Sequence, residues 1–175
     1  MRRILLVDDE VHVLSALMRT MRPFLQEYAV EIEAYSDPEQ ALLRCAETSF
    51  DIVMSDYRMP GLTGADFLQM VKGIQPDAMR LMLSASTEFA EVSNAINRAE
   101  VFRYVAKPWD GEELKKLFLL AFERRDQVMR EREPVPAADP RNEVSMQDLE
   151  AQMLEDEEPG ITQVRRAPDG SVYLD

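Results

Sequence analysis

An open α/β domain built on a parallel sheet is the fold class this sequence predicts, and three observations carry that prediction. Short apolar runs alternate with segments of helical period through the first 133 residues, the pattern of βα units stacked on one sheet. Three of the runs read as buried parallel strands: Ile4-Leu5-Leu6-Val7, Ile52-Val53-Met54-Ser55 and Val101-Phe102-Arg103-Tyr104-Val105-Ala106. Each closes on charge: Asp8 and Asp9 after the first, Asp56 after the second, Lys107-Pro108 after the third. In an open α/β sheet the functional crevice lies beyond the carboxyl ends of the strands, so these charges are expected to meet at one edge. Adjacent carboxylates repel and raise each other's pKa, which makes such a cluster a poor stabilising device. A bound hard cation relieves the repulsion, so the pattern points to a metal and to chemistry on a carboxylate.

After the first strand, Val11, Leu14, Leu17, Met18 and Met21 recur at spacings of three and four, one apolar helix face. Pro23 is expected to kink or end that helix. Val30, Ile32 and Ala34 then alternate with Glu31 and Glu33, which suits an edge strand with one solvated face. Asp37-Pro38-Glu39-Gln40 opens a second helix, with Asp as N-cap and Pro at the first helical position; Ala41, Leu42 and Cys45 are its inner face. Beyond Asp56 the loop Tyr57-Arg58-Met59-Pro60-Gly61-Leu62 leads to Thr63 and Asp66, which have capping-box spacing. Phe67, Leu68, Met70 and Val71 are the candidate buried positions of that third helix. Arg80-Leu81-Met82-Leu83 is a fourth strand, followed by a helix from about Glu88 to Asn97 and then the strand that ends at Lys107. The last helix starts near Gly111 with Leu114, Leu117, Phe118, Ala121 and Phe122 on one stripe, and its continuation to Glu133 is almost all charged.

The chain of 175 residues carries 20 basic and 33 acidic side chains, a net charge of −13. That balance weighs against direct nucleic-acid binding, which relies on basic surface to release counterions. Residues 1–133 hold a net −6 and residues 134–175 a net −7, with five of the ten prolines in the shorter piece. We therefore place a boundary near Pro134. Met146 to Glu158 has the pattern of a short acidic helix, and Ala167-Pro168-Asp169-Gly170 reads as the turn of a hairpin. No apolar run approaches the roughly 20 residues of a membrane span, the start is too short for a signal peptide, and the single Cys45 cannot form an internal disulfide. A cytoplasmic protein without a membrane contact is the expectation.

With these positions in place, the chain resembles the receiver domain of two-component response regulators. The matching elements are Val7-Asp8-Asp9-Glu10, Asp56-Tyr57-Arg58-Met59-Pro60-Gly61 with Gly64 beyond, Leu83-Ser84-Ala85, and Tyr104-Val105-Ala106-Lys107-Pro108. They run over about residues 3 to 125. The resemblance implies a flavodoxin-like, doubly wound, five-stranded parallel sheet in the order 2-1-3-4-5, followed by a short C-terminal appendage. On that basis residues 1–126 would be the receiver, while composition and pattern make 127–145 a helix extension and Pro-rich linker and 146–175 an acidic helix with a candidate hairpin. Lys107 to Asp110 also looks like receivers joined to cyclic-dinucleotide phosphodiesterase domains, but no such domain fits in the remaining residues.

The resemblance implies that Asp56 is the phosphoacceptor. Asp9 and Asp56 would bind Mg²⁺ directly, the backbone carbonyl of Arg58 would supply a third oxygen, and Asp8 would act largely through water. Lys107 would meet a phosphoryl oxygen, Ser84 would hydrogen-bond the arriving group, and Tyr104 would turn inward as Ser84 shifts. Arg58 and Ser86 stand where the family tunes phosphoryl hydrolysis. The implied function is a phosphorylation-dependent signalling switch, not a metabolic enzyme, served by a histidine kinase or phosphotransfer protein and acting on an unknown output protein. His12 reads as an exposed helix residue, Cys45 as core, and Trp109 as packing at the rim of the last helix. An aspartyl-phosphate hydrolase would want a second aspartate where Arg58 stands, so its proton donor is missing. An adaptor or phosphate sink working through the acidic tail remains a competing reading. The charged end of the last helix is either a dimer face or simply solvated.

Overall fold

The structure, a computed structural model, describes residues 1–85 and 99–132 with their side chains, and the backbone alone of 165–166 and 172–173. Ser86, the helix expected at Glu88 to Asn97 and the acidic helix expected at Met146 to Glu158 lie outside the described residues. The chain divides into two compact units, Met1–Glu133 and Pro134–Asp175.

In the first unit the elements follow in the order β1 (Arg2–Val7), α1 (Val11–Tyr28), β2 (Val30–Tyr35), α2 (Pro38–Glu47), β3 (Ile52–Asp56), α3 (Gly64–Ile74), β4 (Met79–Ala85), β5 (Arg103–Lys107) and α4 (Gly111–Arg132). The sheet order is β2-β1-β3-β4-β5 and every neighbouring pair is parallel, as the resemblance implied. Successive strand residues point to opposite faces, and the core divides accordingly. Ile4, Leu6, Ile52, Met54, Leu81 and Leu83 pack against α1 and α4. Leu5, Val7, Val53 and Met82 pack against α2 and α3.

α1 departs from one half of the expectation: the helix does not end at Pro23 but continues to Tyr28. An interior proline costs a helix about 3 kcal/mol. Phe24, the next residue, is buried and stacks on Phe118 at 6.1 Å and Phe122 at 6.5 Å, and this packing outweighs the broken ladder. Ala29, with φ at 51°, ends the helix in the left-handed region. Met70 is the second departure: it is 46% exposed rather than buried. Gly64, Ala65, Phe67, Leu68 and Val71 fill the inward arc of α3, and Met70 falls on the far side of the helical wheel. The caps form as expected at α2, where Asp37 accepts from the Glu39 N–H at 2.8 Å, and at α3, where Thr63 accepts from the Asp66 N–H at 3.2 Å.

Gln75, just past α3, fastens three segments at once. Its Oε1 accepts from the Phe50 N–H at 2.8 Å, and its Nε2 donates to the carbonyls of Cys45 and Thr48, each at 2.6 Å. These bonds fix how α2 ends and how the chain enters β3, the strand that carries Asp56. Gln75→Ala leaves a donor and two acceptors unpaired and is expected to cost about 3 kcal/mol, read as a lower urea midpoint.

The charged end of α4 is tied down rather than merely solvated. Arg125 pairs with Asp51 at 2.7 Å, Asp126 with Arg2 at 2.7 Å, and Arg132 with Asp77, which fastens the last turns to the end of the sheet away from Asp56. In the second unit, β6 (Arg165–Arg166) and β7 (Val172–Tyr173) pair antiparallel, and the turn expected at Ala167-Pro168-Asp169-Gly170 lies outside the described residues. Among the described residues no helix is long and apolar enough to cross a membrane.

Candidate functional site

The strand register brings the separated charges together. Val7 pairs with Ser55, Asp56 with Leu83, and Ala85 with Lys107, so the carboxyl ends of β1, β3 and β5 open on one edge. Asp8, Asp9 and Asp56 each offer a carboxylate oxygen within 4.8 Å of the others. Asp8 and Asp56 are buried, whereas Asp9 is more open. Lys107 spans the two buried acids: its Nζ donates to Asp8 Oδ2 at 2.9 Å and stands 2.5 Å from Asp56 Oδ1.

Backbone groups complete the coordination of the acids. The Glu10 N–H donates to Asp8 Oδ1 at 2.9 Å, and the Arg58 N–H to Asp56 Oδ2 at 2.8 Å. The second bond brings the Arg58 peptide beside the cluster. Burial pushes the Asp56 carboxyl above its ordinary value, against the pull of the Lys107 ammonium, while the Asp8 charge adds to the rise. Burial also opposes the Lys107 ammonium, but its bonds to Asp56 and Asp8 outweigh that penalty and hold its pKa above the ordinary lysine value.

Gly64 lets the chain close over Asp56. Its N–H donates to the Tyr57 carbonyl at 2.8 Å, and a Cβ at this position would overlap the Asp56 backbone carbonyl. Only hydrogen leaves room there for α3 to begin. A groove of about 450 Å³ lined by Asp9, Tyr57, Arg58, Met59, Pro60 and Thr63 opens beside the cluster.

Ser84 ends one residue beyond the level of Asp56, is fully buried, and donates its hydroxyl to the Ala85 carbonyl at 3.3 Å. Tyr104 OH lies 3.3 Å from the Ser84 carbonyl and 3.2 Å from that of Ala85. The tyrosine is thus already folded against the end of β4. One cap and one hydrogen bond escaped the sequence reading. Asp110 caps α4 through the N–H groups of Glu112 and Glu113, both at 2.9 Å, and its capping spacing to Glu113 was the available signal. Trp109 donates its indole N–H to Thr20 Oγ1 at 3.3 Å, a contact across 89 residues that no local pattern announces.

The sequence profile of the response regulator receiver domain matches residues 4–119. The chain belongs to the receiver domain family. Among curated relatives, this receiver is 30% identical to the chemotaxis protein CheY of Pseudomonas aeruginosa over 70% of the chain and 97% of that protein. It is 30% identical to the two-component response regulator ARR14 of Arabidopsis thaliana over 93% of the chain and 42% of that protein. The hydrogenase transcriptional regulatory protein HoxA of Cupriavidus necator is 34% identical over 63% of the chain. The match spans only 22% of HoxA's length. The signal receiver domain of an HD domain-containing protein from Pseudomonas fluorescens superposes with a TM-score of 0.67 at 30% identity, covering 75% of this chain and 93% of that one. The receiver family is a signalling family rather than a metabolic one.

Proposed function

We propose that this receiver is a phosphorylation-dependent switch that takes a phosphoryl group on Asp56. The observation that carries the reading is one carboxylate, buried at the end of β3, held by a lysine from β5 and faced by two acids from the end of β1. The donor set fits Mg²⁺: three carboxylates and a nearby peptide carbonyl are hard oxygen ligands, and two of the acids are already buried around a positive charge. Asp9 and Asp56 with the Arg58 carbonyl would hold the ion directly and Asp8 through water. When bound, the ion supplies charge neutralisation at the phosphoryl oxygens.

An Asp56 Oδ attacks the phosphorus of a phosphohistidine on a kinase or phosphotransfer protein. The new O–P bond forms as the donor's N–P bond breaks, and the imidazole leaves. Lys107 shifts its ammonium from the carboxylate to an incoming phosphoryl oxygen, a compact point charge that follows the negative charge. The hydroxyl of Ser84 turns from Ala85 to the phosphoryl group. Tyr104, hydrogen-bonded to the carbonyls of Ser84 and Ala85, moves with that strand end and passes the change to the β5 surface. Moving such an equilibrium from mostly off to mostly on takes about 5.5 kcal/mol of differential stabilisation, toward which the contacts of the new dianion with Lys107 and Ser84 would contribute. Output is contact with another protein; the net charge of −13 speaks against nucleic acid as the direct target. The cytoplasm is the compartment such donors imply.

Incubation with acetyl phosphate tests the reading: mass should rise by one phosphoryl group only when magnesium is present, and hydroxylamine should remove it. Comparing output-protein binding by the full chain and by a chain ending at Glu133 weighs the adaptor alternative. Binding that needs residues 134–175 but ignores phosphorylation would favour the adaptor.

A further inference from the structure

Lys107 reaches its acids from far across the sheet. β5 lies two strands from β3 and three from β1, on the order of 10 and 14 Å at the usual strand spacing. Its Cα also stands beside Ala85, two residues beyond Leu83, the partner of Asp56. A four-carbon stem ending in one ammonium has many rotamers and a high entropic cost of being held extended. Something must fix the backbone from which it departs.

Two residues on, Trp109 packs at the edge of the core shared by α1 and α4, and its indole N–H donates to Thr20 Oγ1 at 3.3 Å. The Thr20 hydroxyl donates its own proton to the Ala16 carbonyl at 3.0 Å. Its lone pair is therefore left to accept, and the direction of the short network is set. Gly111 packs against the same threonine, where a Cβ would lie 3.1 Å from Thr20 Cγ2. The other end of α1 is already in the site, because the Glu10 N–H holds Asp8 and the Glu10 carbonyl accepts from Val13 and Leu14. One helix thus grips an acid at its start and the lysine loop nearly three turns further on.

We propose that Trp109, through its hydrogen bond to Thr20, is a positioning residue that holds Lys107 over the acids, with α1 as the brace common to both halves of the site. This goes beyond the assignment of Asp56 but rests on it for its kinetic consequence. Trp109→Phe keeps an aromatic ring, though a smaller one, and removes the donor; Thr20→Val keeps the shape and removes the acceptor. In the full chain, each is expected to slow magnesium-dependent labelling by acetyl phosphate about tenfold, and the double variant to be no slower than either. In a Lys107→Ala background neither should slow it further. A wild-type rate in Trp109→Phe, or the same slowing with and without Lys107, overturns the proposal, since a merely structural role acts regardless of the lysine.

A second readout needs no phosphorylation. In metal-free protein the ion-paired Lys107 ammonium should give a slowly exchanging ¹H–¹⁵N signal, lost in Lys107→Ala and weakened in Trp109→Phe and in Thr20→Val. Persistence of that signal unchanged in both variants overturns the proposal. Failure of the wild-type chain to be labelled would count against Asp56 as acceptor, and this second readout would still decide the role of Trp109.

Discussion

Gly64→Ala should lower the stability of the first unit by about 3 kcal/mol or more, because it forces a methyl group into backbone that cannot move aside. The obstructing atom is the carbonyl oxygen of Asp56 itself. Relief requires either α3 to retreat or the end of β3 to shift, and both disturb the acid cluster. Gly61→Ala provides the comparison. Gly61 has φ at +78° with no atom within 4 Å of a built Cβ, so its cost is conformational, about 1 kcal/mol. Urea unfolding of both variants separates overlap from backbone preference. Equal midpoints would mean that the close approach of α3 to Asp56 does not restrict this position.

Asp56→Asn should abolish magnesium-dependent labelling while leaving the fold intact. An amide is no nucleophile toward phosphorus at neutral pH, yet its carbonyl oxygen can still accept from the Arg58 N–H. Stability should not fall. Burial holds the Asp56 carboxyl above its ordinary value, so ionising it costs folding free energy once pH exceeds that ordinary value. The neutral amide removes this cost. The variant should therefore match or exceed the wild type near neutral pH, and any advantage should shrink as pH falls through the native Asp56 value. Loss of labelling together with loss of fold would contradict this account.

Much of the fold was legible because strand ends and helix starts are local events. The apolar run before Asp56, the Asp37-Pro38 start and the Thr63 cap all declare themselves within four residues. Matters decided by distant partners were not legible. Whether Pro23 breaks α1 depends on Phe24 meeting Phe118 and Phe122 from a helix about a hundred residues away. The charged end of α4 looks the same in sequence whether solvated or paired, and only Asp51, Asp77 and Arg2 decide it. In the site, the charges at strand ends were readable and so was their meeting. The brace between Thr20 and Trp109 was not, since the two residues lie 89 positions apart and nothing local to either pairs them.

Reductive trapping of the labelled protein with borohydride, which converts an aspartyl phosphate to homoserine, tests the central claim most directly. After treatment with acetyl phosphate and magnesium, peptide sequencing should find homoserine at position 56 alone, with Asp8 and Asp9 unchanged. Homoserine at position 8 or 9, or a phosphoryl group retained on a residue outside the acid cluster, would contradict it.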